Sequence, residues 1–151
     1  MTIRLATHLD ADEGSRVLRR SITELCHPDH DDDPEKIAAW LVNKSPEAWR
    51  TWIVRAGSSL FVAEEADRIL GVGMIDHQAE ILLNYVLPEA RWQGVSKSLL
   101  VHMEEHALRD GFRSCHLTST KTALAFYKAA GYRIDSGEDE EDVRMSKKLA
   151  T

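Results

Sequence analysis

From Glu80 to Leu87 the chain reads EILLNYVL, an apolar run that after its opening glutamate is broken only by Asn84. A strand this apolar has to be covered on both faces, so it belongs in the middle of a sheet with helices on either side. The stretches before it, SLFVAEE and RILGVGMI, are rich in β-formers and are set apart by polar turns around Asp67 and His77, which predicts an antiparallel meander. After it, a short loop leads into a helix from Gly94 to Arg109 whose Leu99, Met103 and Ala107 recur on one face. Gly111 and Phe112 supply its stop.

The flanking segments complete the pattern. Ile3 to Thr7 (IRLAT) reads as a short strand, and Asp10 with Glu13 reads as a capping box for a helix reaching about Leu25. Proline in a first helical turn marks two further helices, opening at Asp33-Pro34 and at Ser45-Pro46. Beyond the long helix, CHLTS is a strand. Thr122 to Ala130 is a helix with Ala123, Phe126, Tyr127 and Ala130 on one face, closed by Gly131-Tyr132, and YRID and VRMSKKL form a terminal hairpin. Early helices, a meander and then alternating strands and helices imply an α/β (α+β) fold, a mixed sheet covered by helices.

The 151 residues suit one domain, able to bury roughly 70% of its unfolded surface, and 43% apolar with 29% charged residues fits a globular chain. A formal charge of −6 argues against nucleic acid or an anionic membrane as partner, since both call for patches of Lys and Arg. The opening MTIRLATHLDADE has no apolar stretch of signal-peptide kind and no 18 apolar residues run together, so a cytoplasmic location is expected. Cys26 and Cys115, far apart, read as reduced buried thiols. Of the two acidic clusters, Gly137 to Asp142 (GEDEED) reads as a solvated loop tip. Asp29 to Glu35 (DHDDDPE), together with Trp40, Trp49 and Trp52, reads either as a pocket for a cationic amine or as a charged loop beside core tryptophans.

The loop EARWQGVSKSLL carries the first chemical signal. A strand ending near Val86-Leu87 and a helix starting near Gly94 direct the free N–H groups of a first turn outward, where they suit an anion. Arg91 adds a charge, Gly94 lets the backbone come close, and Ser96 and Ser98 add hydroxyl donors. Gly71-Val72-Gly73 sits inside a strand with no helix at the right distance, which excludes the common phosphate-loop and dinucleotide signatures. His102-Met-Glu-Glu-His106 spells an inverted zinc-peptidase motif, yet it lies on the polar side of an amphipathic helix with no third ligand in evidence. Cys115 and His116 are strand neighbours and point to opposite faces, so they form no dyad.

The segment VLPEARWQGVSKSLLVHMEEHAL followed by LTSTKTALAFYKAAGYR resembles the GNAT superfamily of acyl-CoA-dependent N-acyltransferases. Arg91, Gly94 and Ser96 fill its loop signature of Gln or Arg, two free positions, Gly, one free position, then Gly or Ala. Ser96 is the departure. Ala123, Phe126, Tyr127, Gly131 and Tyr132 fill the later signature. The resemblance implies one domain over 1–151, with a strand and variable acceptor-side helices in 1–56 and the core sheet and acyl-CoA site in 59–149. It also implies a mostly antiparallel central sheet of six to seven strands flanked by helices. Acetyl-CoA is then the co-substrate, with no metal. Backbone groups of Tyr85, Val86 and Leu87 would hold the acyl-pantetheine arm, and amides of Arg91, Trp92, Gln93, Gly94, Val95, Ser96 and Lys97 the pyrophosphate. Thr120, Ala123 and Phe126 would flank the cofactor.

Acyl transfer to an amine needs a neutral amine, a polarised carbonyl and a protonated leaving thiolate. Glu80 is the candidate base, fourteen positions before Gly94 and on one strand face with Leu82 and Asn84 unless a bulge intervenes. Tyr127, by resemblance, is the candidate acid for the thiolate. The resemblance implies a primary amine on a small molecule or peptide as the acceptor, and a homodimer is compatible with the chain without being implied by it. The alternative is a module that holds acyl-CoA without turning it over.

Overall fold

A computed structural model describes residues 1–137 and 142–149, so most of the acidic tip at Gly137 to Asp142 lies outside the described residues. Seven strands form one sheet among them: β1 (Thr2–Leu5), β2 (Ser58–Glu65), β3 (Arg68–Asp76), β4 (Glu80–Val86), β5 (Ser114–Ser119), β6 (Arg133–Ser136) and β7 (Val143–Lys148). Their order is β1-β2-β3-β4-β5-β7-β6, and every neighbouring pair is antiparallel except β4 with β5. The helices are α1 (Ala11–Leu25), α2 (His27–His30), α3 (Pro34–Leu41), α4 (Pro46–Val54), α5 (Val95–Arg109) and α6 (Leu124–Ala129). No helix among the described residues is long and apolar enough to cross a membrane.

The apolar run does lie at the centre of the sheet as β4, but it is not sealed on both faces. Ile81 and Leu83 are buried, Leu82 is 41% exposed, and Asn84 to Val86 are half-buried. The α5 stripe of Leu99, Met103 and Ala107 packs on β3 and β4, where Gly71 and Gly73 clear its path. A Cβ on Gly71 would lie 2.7 Å from Val95 Cγ1 and 2.9 Å from Leu99 Cδ1, so these glycines bring a helix close to the sheet.

Local signals explain most helix ends. Asp33 and Ser45 cap α3 and α4 through the N–H groups of Glu35 and Ala48, each with proline in the first turn. Phe112 N–H bonds Ala107 C=O and Gly111 N–H bonds Leu108 C=O, a paired C-terminal closure repeated by Tyr132 with Tyr127 and Gly131 with Lys128. The expected Asp10/Glu13 box is not formed. The reciprocal box lies one turn earlier, at Thr7 and Asp10, because Asp10 also takes a two-point ion pair from Arg4 at 2.9 Å. Glu13 instead accepts the N–H of Ile69 at 2.7 Å, tying α1 to β3.

Trp49 locks α4 to α1 and to the turn after β1; it is fully buried and donates its indole N–H to Thr7 C=O at 3.0 Å. Its ring lies flush against Gly14 of α1, where an added Cβ would stand 2.2 Å from Cη2. Gly14→Ala is expected to lower stability by about 2–3 kcal/mol. That corresponds to a fall in Tm of roughly 5–10 °C by calorimetry.

Candidate functional site

Parallel pairing between β4 and β5 stops after two residue pairs, Glu80 with His116 and Ile81 with Leu117. Beyond them the strands diverge, and the wedge between them opens into a cavity of about 540 Å³. Asn84 to Val86 form one wall, Arg91 to Lys97 without Gln93 another, Thr120, Thr122, Ala123 and Ala125 to Tyr127 a third, and Ser21, Leu25 and Cys26 of α1 and its end a fourth. A smaller cavity of about 50 Å³ shares Asn84, Tyr85, Thr120, Ala123 and Tyr127 with it and continues towards Leu82 and Thr118.

The β4 wall has backbone groups to spare. Leu87 N–H bonds Leu70 C=O of β3 at 2.7 Å. Antiparallel alternation therefore turns Tyr85 towards β3 as well and turns Asn84 and Val86 towards the gap, where no strand meets them. Leu87, expected among the groups holding the pantetheine arm, is only 3% exposed and its amide is already used. Asn84 takes its place. It also donates its side-chain Nδ2 to Ser96 C=O at 3.3 Å, while its buried Oδ1 has no partner among the described residues.

The α5 wall supplies donors. Unlike α3 and α4, α5 has no side-chain cap and no acid in its first turn. Gly94 precedes it at φ +80, in the left-handed region suited to glycine, and no atom lies within 4 Å of where its Cβ would be. The amides of Val95, Ser96 and Lys97 therefore face open space at the positive end of a fifteen-residue helix, with Arg91 and Lys97 beside them. Such a turn binds an anion such as a diphosphate. Ser96, where the family signature has Gly or Ala, lines this wall without filling it.

The third wall is held in place by Asp29, whose carboxylate accepts the N–H of Lys121 at 2.7 Å, the N–H of Thr122 at 3.2 Å and the Thr122 hydroxyl. The end of α2 is thereby joined to the loop entering α6. Thr120 Oγ1 accepts the N–H of Ala123 at 3.3 Å in the same turn. Cys26 lines the cavity as a neutral thiol, pushed up to about 12 by burial and then by Asp29. Cys115, on the other side of the sheet's core, is pushed up to about 12 mainly by burial.

Tyr127 stands where the two cavities meet, 7% exposed and edge-on to Phe126 and Tyr132 with ring centroids at 5.1 and 5.7 Å. Burial pushes its hydroxyl up to about 12, against a smaller opposing effect of Asn84. At neutral pH it is a proton-bearing donor.

Glu80 lies elsewhere. The β3–β4 register slips between Met74, paired with Leu83, and Ile75, paired with Ile81, so Leu82 is an extra residue in β4. One extra residue reverses the alternation and removes Glu80 from the face of Leu82 and Asn84, correcting the expected shared face. Its carboxylate meets Arg144 of β7 at 2.6 and 3.0 Å, Arg144 also donates to Thr118, and Glu80 lines neither cavity.

The histidine motifs have structural uses. His102 and His106 pack edge-on against Phe61 at 4.8 and 5.5 Å, whereas Glu105 is exposed. The grouping of ligand atoms found among the described residues is a different one, His27, His30 and Asp32. His30 accepts the Asp32 N–H on Nδ1 at 3.0 Å, which leaves Nε2 as the donor to Ile22 C=O at 2.8 Å. Both ring nitrogens are committed.

Of the expected cofactor residues, Tyr85, Val86, Arg91, Trp92, Gly94, Val95, Ser96, Lys97, Thr120, Ala123 and Phe126 line the main cavity. Gln93 does not; it is exposed and bonds Glu89 C=O at 3.4 Å. Sequence reasoning passed over Asn84, Ser21, Leu25, Cys26, Thr122 and Ala125. Only Asn84 left a readable trace, as the lone amide in an apolar strand. The tryptophans divide: Trp49 is core, while Trp40 stands edge-on to His30 at 6.3 Å.

A free strand edge and an uncapped helix N-terminus opening into one cavity are matched by ancestry. Residues 28–147 match the acetyltransferase (GNAT) domain, and the chain belongs to that family of N-acetyltransferases, which use acetyl-CoA as co-substrate. Spermidine N(1)-acetyltransferase of Thermoplasma acidophilum is 30% identical, over 76% of this chain and 77% of that protein. The fold recurs in PaiA N-acetyltransferase from Thermoplasma acidophilum in complex with coenzyme A, with a TM-score of 0.85, 22% identity and 98% of each chain covered. It recurs too in a GCN5-related N-acetyltransferase from Rhodopseudomonas palustris, with a TM-score of 0.86, 19% identity and 98% and 95% of the two chains covered.

Proposed function

We propose that the protein moves an acetyl group from acetyl-CoA to the primary amine of a small cationic molecule or peptide, with polyamines the foremost class. The observation that carries this reading is the meeting of three features in one cavity: the free edge of Asn84 and Val86, the uncapped start of α5, and the buried phenol of Tyr127. The pantetheine arm would run along that edge in the manner of an added strand. Amides of Val95 to Lys97, with Arg91 and Lys97, would take the pyrophosphate. The acidic stretch at Asp29 to Glu35, with Asp31 and Asp32 exposed beside the Asp29 anchor, favours a cationic acceptor. The relationship to a spermidine acetyltransferase supports the same class.

Tyr127 serves the leaving group. As the amine nitrogen bonds to the thioester carbon and the C–S bond breaks, its hydroxyl donates to the departing sulfur. The thiolate of a thiol near pKa 8.5 is a weaker base than a phenolate whose phenol titrates near 12, by about 3.5 units, or ~5 kcal/mol. Tyr127 therefore stabilises the thiolate by a hydrogen bond, and the proton that finally neutralises it comes from the amine or from water. The amine itself must be neutral, which for a pKa of about 10.4 costs roughly 4.6 kcal/mol at pH 7. Among the described residues neither cavity is lined by a carboxylate or a histidine, which supports water as the acceptor of this proton. Glu80 then acts as the partner that holds Arg144 rather than as a base.

With a polyamine acceptor, kcat/KM should rise with pH towards the amine's own pKa, with no falling limb from Tyr127 below pH about 10. Glu80→Gln should keep the shape of that rise. Tyr127→Phe should lower kcat about 100-fold with little change in acetyl-CoA affinity. A flattened rise in Glu80→Gln would restore it as the base, and an unchanged kcat in Tyr127→Phe would remove the phenol from the reaction.

A further inference from the structure

Trp92 is 86% exposed, the most exposed of the chain's large apolar side chains among the described residues. Its backbone has φ +70, in the left-handed region that a bulky residue occupies at a cost. The loop around it is firmly anchored. Ala90 before it and Val95 after it are 3% and 2% exposed, and Glu89 accepts from Arg20 at 2.5 and 3.0 Å and from Arg68 at 3.5 Å. An aromatic residue is thus held out in water by a fixed and strained turn. Burial in the core cannot explain it.

The ring has one covered face. The Arg91 guanidinium carbon stands 4.4 Å from the Trp92 ring centroid, and both residues border the main cavity beside the open α5 N-terminus. Two positions separate Trp92 from Gly94, at most about 7 Å of chain. A planar group attached a few bonds away from a diphosphate on that helix end can therefore reach the free indole face. The indole offers a π-surface, and Arg91 adds a cation beneath it.

We infer that Trp92 is a stacking platform for the adenine of the acyl-CoA nucleotide, sandwiching it against an indole already backed by Arg91. This rests on the acetyl-CoA reading given above and adds to it the side chain that recognises the nucleotide end. The backbone strain at Trp92 is then the device that keeps the indole presented and free of the core. Stacking of this kind tolerates any purine but rewards a base over none. The pantetheine end of the donor is held by β4 and is indifferent to Trp92.

The test compares acetyl-CoA with S-acetyl-phosphopantetheine, which keeps the thioester arm and lacks the nucleotide. Trp92→Ala should weaken acetyl-CoA binding about tenfold in calorimetric titrations, a loss typical of one stacked base. Trp92→Phe should restore most of it, and S-acetyl-phosphopantetheine should bind parent and variant alike. Acetyl-CoA should also quench the tryptophan fluorescence of the parent, and this quenching should be absent from Trp92→Ala. If Trp92→Ala binds acetyl-CoA as the parent does, or weakens both probes equally, the platform is refuted while the acyl-CoA reading stands. If the parent itself binds neither probe, the acyl-CoA reading falls and the platform with it.

Discussion

Everything at this site depends on two adjacent parallel strands that stop pairing after two residues. The β4–β5 ladder holds at Glu80 and Ile81 and then opens, so backbone donors and acceptors of Asn84 and Val86 that a complete sheet would bind are left facing a cavity. Buried backbone groups without partners are costly. A ligand that supplies amides and carbonyls in an extended chain, as an acyl-pantetheine arm does, satisfies them. On the proposed reading, binding is built into the fold as an unfinished sheet.

The second wall meets the same need with the opposite geometry. α5 is pressed against β3 at Gly71 and Gly73, and its uncapped first turn opens on the cavity. The hydrogen bond from Asn84 to Ser96 C=O joins the free strand edge to the helix start. Asp29 fixes the facing loop by filling its amides with a carboxylate, so the donors left for an anion are those of α5. On the proposed reading, the spacing between a diphosphate and a thioester would be set by packing between rigid elements, which is how a site keeps its geometry with a ligand of many rotatable bonds.

Much of this could be read from the chain. Helix starts at Asp33 and Ser45 and the closures at Gly111 and Gly131 are local, each decided by a few neighbouring residues, and they were legible. So was the strand, glycine and helix order around Gly94. The box at Asp10 was misread because two partners compete for one carboxylate, and Arg4 reaches it from β1. The bulge at Leu82 was illegible for a deeper reason: register is a property of two strands together, and one inserted residue moved Glu80 to the other face. Cys26 and Asp29 joined the site only through the packing of α1 and α2 against the α6 loop, which no spacing in the sequence encodes.

The central claim is that the α5 N-terminus receives the pyrophosphate of acetyl-CoA, and calorimetric titration of the purified protein beside a Gly94→Glu variant tests it most directly. The glycine has open space where its Cβ would be, so the variant should stay folded with a stability cost of about 1 kcal/mol for its positive φ. Its carboxylate would stand where the anion belongs. Saturable binding by the parent and its loss in a folded Gly94→Glu is the predicted result. Equal binding by both would contradict the account, since the anion would then lie somewhere other than the start of α5.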